Sequence, residues 1–265
     1  MSINFDHCFA LCAYQVNPHL EECVQSLLAQ TLKTKIIMIT ATPNSHIKSV
    51  AEKYGLPLHV NPSPTGMGGN WNFAYRTADT EYVTIAHEDD LYESDFAEAA
   101  AQSVQDVKNP LILFTDYYEL AGGEIIRENH LLKIKRRMNA PLKIRAFGRS
   151  RFVRNRILSL GCSICCPSVT FHKSQLVDFA FDESFSCDLD WDAWSRIAKE
   201  KGSFVYIPKP LMLHRIHDQS ETTRLLSNGV RFGEDLSIFK RYWPDWIARR
   251  LMEKYKKSAE SNLKG

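Results

Sequence analysis

The chain has 265 residues, with 33 basic against 31 acidic side chains, a formal charge of +2 and a sequence pI near 8.1. That balance excludes a dedicated nucleic-acid binder, which carries a large basic excess, and 44% hydrophobic with 24% charged residues excludes a disordered chain. No apolar run approaches the roughly 18 residues that span a bilayer, and Met1 to Asp6 lacks a secretory pattern, so a cytoplasmic protein is expected.

In chain order, His7 to Ala13 reads as a strand and Pro18 to Gln30 as an amphipathic helix. Lys35 to Thr40 is a buried-type strand, Ser45 to Tyr54 a helix stopped by Gly55, and Leu56 to Val60 a third strand. A Pro/Gly-rich loop from Asn61 to Gly69 leads to a helix over Trp71 to Ala78 and the strand Tyr82 to His87. Ser94 can cap a helix over Asp95 to Val107, and Leu111 to Leu120 is a strand ending at the Gly122-Gly123 turn. Ile164 to Phe171 reads as a strand and Trp191 to Glu200 as a helix. Phe204 to Ile207 and Leu211 to Arg215 read as short strands around Pro208 and Pro210, and two helices divided near Trp243-Pro244 close the chain. Strands alternating with helices predict an α/β fold on a mixed, mostly parallel sheet, with a Rossmann-like nucleotide-binding half and a helical C-terminal addition.

Charge is unevenly spread. Arg127 to Leu160 holds 11 Lys or Arg against one acid, and Lys240 to Gly265 holds eight against three, which leaves the remainder strongly acidic. Apolar residues interleave the first stretch, predicting a basic amphipathic helix. It is either a solvated face or a surface for anionic lipid headgroups or a diphosphate-bearing substrate. Seven cysteines without framework spacing suit a reducing compartment. The Cys162, Cys165, Cys166 cluster near His172 lacks a second ligand pair and reads as pocket-wall thiols rather than a zinc site.

Polar residues just after the strands of an open α/β sheet are where ligands gather. Three clusters stand out. His87-Glu88-Asp89-Asp90 follows a buried strand, where four ionisable groups need a neutralising partner such as Mg²⁺ or Mn²⁺. Asp188, Asp190 and Asp192 surround Trp191 at a helix start, more acids than capping needs. His214-Arg215-Ile216-His217 follows a strand and brings a cation suited to phosphate.

With these clusters in order, the sequence resembles the family 2 glycosyltransferases of GT-A fold, from about Phe5 to Thr222. Ala13-Tyr14-Gln15 with Leu27-Leu28-Ala29-Gln30-Thr31 resembles the opening strand, its P-x-Y-N-like turn and the S-L-L-x-Q-T helix ending. Gly69-Asn70-Trp71-Asn72-Phe73-Ala74 is similar to the donor-side G-x-x-x-A-x-N helix, and His87-Glu88-Asp89-Asp90 to the D-x-D-D metal motif. Phe181-Asp182-Glu183 followed by Asp188 to Asp192 resembles F-D-E and the G-E-D-W motif of the base, and Arg215-Ile216-His217 with Ser220 the closing R-x-H-x-x-S.

The resemblance implies an inverting transferase using a nucleotide-diphosphate sugar donor, a divalent metal (Mn or Mg) and a glycan or lipid-linked acceptor. It implies Asp190 as general base, Asp89 and His217 as metal ligands, and Ala13, Tyr14, Thr42, Asn44, Gly69, Asn72, His87, Asp90 and Arg215 around the donor. Asp188 or Asp192 is the alternative base if Asp190 faces solvent. Two departures matter: Thr40-Ala41-Thr42-Pro43-Asn44 stands where the family has D-D-G-S, and His87 replaces the first acid of D-x-D.

The implied organisation is a glycosyltransferase domain over 1–222, with a nucleotide-sugar half at 1–120, an acceptor and base half at 121–222 that includes the basic insert 127–160, and a helical extension at 223–265. The expected partners are the donor, the acceptor and an anionic membrane surface at the inner face of the cell membrane, with no nucleic acid; a homo-oligomer is compatible. A nucleotidyltransferase or dehydrogenase would need a glycine-rich loop after the first strand, which Ala13 to Asn17 does not supply. A non-catalytic sugar-nucleotide- or glycan-binding scaffold is the alternative from another class.

Overall fold

In the computed structural model, residues 5–63, 66–216 and 230–262 are described. The expected ligand His217 and Ser220 of the closing motif lie outside them.

The first half winds as predicted. β1 (His7–Ala13), α1 (Leu20–Leu28), β2 (Lys35–Thr40), α2 (Ser45–Tyr54) and β3 (Leu58–Val60) form two parallel crossovers. Gly55, at φ 63°, supplies the left-handed stop of α2. α3 (Gly66–Thr77) leads to β4 (Tyr82–His87), which pairs in parallel with β1. A two-residue strand, β5 (Leu91–Tyr92), and α4 (Phe96–Val104) follow.

β6 (Pro110–Ala121) turns through Gly122-Gly123 into β7 (Glu124–Ile126). The insert is α5 (His130–Asn139), a 3₁₀ turn, α6 (Arg145–Arg149) and α7 (Arg151–Leu158). β8 (Val169–His172), α8 (Leu189–Ile197), β9 (Ser203–Ile216), α9 (Val230–Phe239) and α10 (Asp245–Asn262) complete the described chain. The sheet runs β3-β2-β1-β4-β8-β6-β9-β5, with β7 beside β6. β8 is antiparallel to both of its neighbours, so the sheet is mixed, as expected.

Three expectations need correction. The glycines at 66, 68 and 69 open α3 instead of forming a loop. The reason is packing: a Cβ on Gly68 would stand 2.8 Å from Leu189 Cδ2, so a bare backbone lets α3 lie against α8. The two short strands around Pro208 and Pro210 are one strand, β9, whose register against β6 shifts at Thr115/Asp116 where the prolines withhold donors.

The basic stretch is not one amphipathic helix but three short ones, and some of its cations serve the fold. Arg154 is buried and donates to the carbonyls of Gly202 (2.7 Å) and Glu200 (2.8 Å), and Arg136 pairs with Asp116 at 2.7 Å. Ile238, Phe239 and Ala248 of the last two helices belong to the main apolar core with Trp191 and Trp194, so these helices brace α8 directly.

Candidate active site

Strand register sets the site. Ala13 lies opposite Thr40, and Cys12 opposite His87, so the loops after β1, β2 and β4 leave one edge of the sheet together. Gln15 turns the first loop at φ 53°. Its N–H donates to Thr42 Oγ1 (2.7 Å), and its carbonyl accepts from Asn44 Nδ2 (2.7 Å). Asn44 also caps α2, Oδ1 accepting the Ile47 N–H at 3.0 Å. Thr42 and Asn44 thus shape this loop, while the Tyr14 ring stands half exposed beside it. Glu88, buried behind the loop, accepts the Tyr14 N–H at 3.1 Å. Burial pushes its carboxyl up to about 8, against the pull of the Tyr14 N–H and Asn17.

At the end of β4 the ligand atoms of His87, Asp89 and Asp90 lie within 4.8 Å of one another. Asp90 is fully buried; Oδ1 pairs with His214 Nδ1 (3.0 Å) and accepts the Arg215 N–H (2.9 Å), while Oδ2 is buried with no hydrogen-bond partner. The His87 ring stacks on Trp71, centroids 5.0 Å apart, and its Nε2 is likewise buried and unpartnered. Burial holds the His87 ring below the ordinary histidine pKa, in the neutral form that ligates metals. Two orphaned acceptors in an anionic cluster fit a hard divalent cation, which would supply the missing partner to each. Arg215 Nε donates to the Asp89 carbonyl (2.7 Å) and its other nitrogen to Glu22 (2.7 Å), fixing the backbone of the cluster.

The second acid group is sorted by its neighbours. Asp192 is buried and doubly paired, with Arg196 at 2.8 Å and Arg241 at 2.6 Å, a structural carboxylate. Asp188 is buried against Asp235; burial and that neighbouring charge push it well above the usual carboxylate range, so the pair holds a proton at neutral pH. Asp190 is half buried. Its Oδ1 accepts the Trp191 N–H (2.7 Å) and its Oδ2 the Cys162 thiol (3.5 Å). Burial raises it above the usual carboxylate value, toward that of a usable base. Its charge is felt by His87, Cys165 and Cys166, which puts it in the same electrostatic field as the acidic cluster after β4.

The Glycosyl transferase family 2 sequence model matches residues 8–172. The chain belongs to this family. This family 2 glycosyltransferase also shares its fold with solved structures at low identity. TarS 1-349 of S. aureus is 13% identical, TM-score 0.64, with 93% of this chain and 69% of that chain covered. The mannosyltransferase PcManGT of Pyrobaculum calidifontis, in complex with GDP-Man and Mn²⁺, is 13% identical, TM-score 0.62, covering 96% and 72%. Glucosyl-3-phosphoglycerate synthase of Mycobacterium tuberculosis, with Mn²⁺ and UDP-Glc, is 12% identical, TM-score 0.57, covering 89% and 79%. No curated protein matches the chain in sequence.

Of the expected site residues, Ala13, Tyr14, Thr42, Asn44, His87, Asp89, Asp90 and Arg215 lie along the sheet edge where the three loops meet β9. Gly69 and Asn72 lie inside α3 and face structure: Asn72 Oδ1 accepts the Phe181 N–H (2.7 Å) and Nδ2 donates to the Phe181 carbonyl and Glu183. That clamp ties α3 to the Phe181-Asp182-Glu183 segment ahead of α8. The cysteine cluster remains thiols, and among the described residues the one metal-capable group is at His87, Asp89 and Asp90.

Sequence reasoning named Glu88 and His214 within their clusters without giving either a role, and passed over Glu234. The Glu234 carboxylate accepts the N–H groups of Ser186, Cys187 and Asp188 at 2.8–2.9 Å, anchoring the start of α8. Its distance in sequence from α8 left no local signal, whereas Glu88 was signalled by one acid too many in a metal-type run.

Proposed function

We propose that this glycosyltransferase moves a sugar from a nucleotide-diphosphate donor to an acceptor hydroxyl with inversion, Asp190 acting as general base. The observation that carries the reading is the pairing of two acid groups: one with buried, unsatisfied ligand atoms at His87 and Asp90, and one whose half-exposed member is Asp190 while Asp188 and Asp192 are buried. Thr42, Asn44 and Gln15 shape a shelf for the nucleoside with hydroxyls and backbone, without the carboxylate that the family usually offers the base.

His87, Asp89 and Asp90 would hold Mn²⁺ or Mg²⁺; Mn²⁺ is favoured because PcManGT and glucosyl-3-phosphoglycerate synthase were solved with it. Bound there, the cation offsets charge growing on the departing nucleoside diphosphate. His214 and Arg215 hold the Asp90 carboxylate in place from behind. Asp190 takes the proton from the attacking hydroxyl on the opposite face of the sugar, and the Trp191 N–H fixes the carboxylate for that role.

The acceptor is a glycan or lipid-linked molecule. Exposed Ile144, Phe147 and Phe152, set among Lys143, Arg145, Arg149 and Arg151, support contact with an anionic membrane face. No described helix is long and apolar enough to cross a membrane.

The test is a screen of nucleotide sugars with Mn²⁺ or Mg²⁺, run with wild type, Asp89→Ala and Asp190→Ala. One donor should turn over metal-dependently and both variants should lose at least a hundredfold. Turnover untouched by either change would overturn the assignment.

A further inference from the structure

A groove of about 200 Å³ runs between α5 and α10, walled by Ile134, Met138, Leu160 and Leu251 among others. Among the described residues its charged lining is Lys135 and Lys254. These helices come from the two basic segments of the chain, and each gives the groove one lysine.

The groove adjoins the reactive centre. Cys162 lines it, and the Cys162 thiol is the group 3.5 Å from Asp190 Oδ2. Lys135 donates to Tyr117 Oη (2.8 Å), and its charge reaches both Asp190 and His214. Among the described residues, an apolar wall with two cations and no acid, ending at the candidate base, matches one kind of molecule: an apolar chain joined to an anionic group.

Resting on the transferase reading above, we propose that the acceptor is an amphiphile of this kind. Its alkyl chain lies between α5 and α10, its anionic group is met by Lys135 and Lys254, and its hydroxyl is delivered to Asp190. A purely hydrophilic glycan would leave the Ile134, Met138 and Leu251 wall without a complementary surface.

The probes are decyl phosphate below its micelle concentration, decanol and inorganic phosphate, titrated calorimetrically into the full chain. Leu160→Glu and Lys254→Glu change exposed positions, so both should keep the wild-type melting temperature. Decyl phosphate should bind at least tenfold more tightly than either partial probe, and each variant should weaken it at least tenfold. Inorganic phosphate binding as well as decyl phosphate, no binding of decyl phosphate, or binding indifferent to both variants would overturn the proposal.

A nucleoside diphosphate with Mn²⁺, tested on the same samples by thermal shift, separates the two readings. Stabilisation by it without decyl phosphate binding rejects the groove and leaves the transferase site. Groove binding that meets every criterion above, without any such stabilisation, supports the amphiphile site and counts against the donor site.

Discussion

The acids after β4 and the acids opening α8 look alike as sequence but are treated in opposite ways by the fold. After β4, Asp90 receives one imidazole and one N–H yet keeps a buried oxygen without a partner, and His87 keeps a buried nitrogen in the same state. At the start of α8, Asp192 is paired with two arginines and Asp188 lies against Asp235, while Asp190, the base proposed above, is held by the Trp191 N–H and the Cys162 thiol. The chemistry of an acidic run is decided by the cations and N–H groups that the rest of the chain brings to each member.

The contrast can be broken most forcefully at Asp90. Asp90→Asn keeps the shape but removes the charge, and Mn²⁺-dependent turnover should fall about 10²–10³-fold, with Mn²⁺ affinity by calorimetry falling alongside it. Unchanged Mn²⁺ binding would place the ion elsewhere.

Next in size is Asp192→Ala. Because it removes the buried partner of Arg196 and Arg241, whose own side chains are about a third exposed, it should cost about 1–3 kcal/mol in chemical denaturation. A loss of activity at full stability would instead make Asp192 part of the reaction.

A smaller effect follows from pH. Asp188, raised to about 9 from an unfolded value near 3.8, keeps a proton in the native state that the unfolded chain releases. Its contribution is therefore complete below about pH 4 and declines as pH rises toward 9, by up to about 1.4 kcal/mol per unit. His7, depressed to about 3 by burial, acts in the opposite sense: its contribution is complete above 6.5 and is lost as pH falls. Between pH 6.5 and 9 the Asp188 slope remains, joined up to about pH 8 by that of Glu88, and Asp188→Asn should make the fall in stability shallower in urea melts at stepped pH. An unaltered slope would mean that Asp188 is ionised.

The smallest effect concerns the surface. Replacing Arg145 and Arg149 with Glu should cut sedimentation with anionic vesicles several-fold without touching turnover of a soluble acceptor. Equal binding of the wild type to neutral and anionic vesicles would remove the electrostatic argument.

Local pattern was enough where local forces decide. β1, β2, α2 and β4 match the residues read from hydrophobic period and from the Gly55 stop, because strand burial and a left-handed cap are written within a few residues. The helix start at Gly66 was not legible, since its cause is Leu189, more than a hundred residues away, pressing on Gly68. The basic insert reads as one helix by composition, yet Ile144 and Ser150 take extended conformations between its pieces, and Gly148 sits against the Phe204 backbone, so contact with β9 sets its bends.

The candidate site divides in the same way. The two acidic runs were visible because such residues after a buried strand or at a helix start need a reason. What separates Asp188, Asp190 and Asp192 was not visible, because Asp235 and Glu234 arrive from α9 and Arg241 from the turn after it.

The account rests on that separation, and the most direct measurement compares transfer rates of Asp188→Asn, Asp190→Asn and wild type with saturating donor and Mn²⁺. Asp190→Asn should lose at least a hundredfold in turnover while binding Mn²⁺ and nucleoside diphosphate as the wild type does, and Asp188→Asn should stay within a few-fold of wild type. An inactive Asp188→Asn beside an active Asp190→Asn would contradict the assignment of the base.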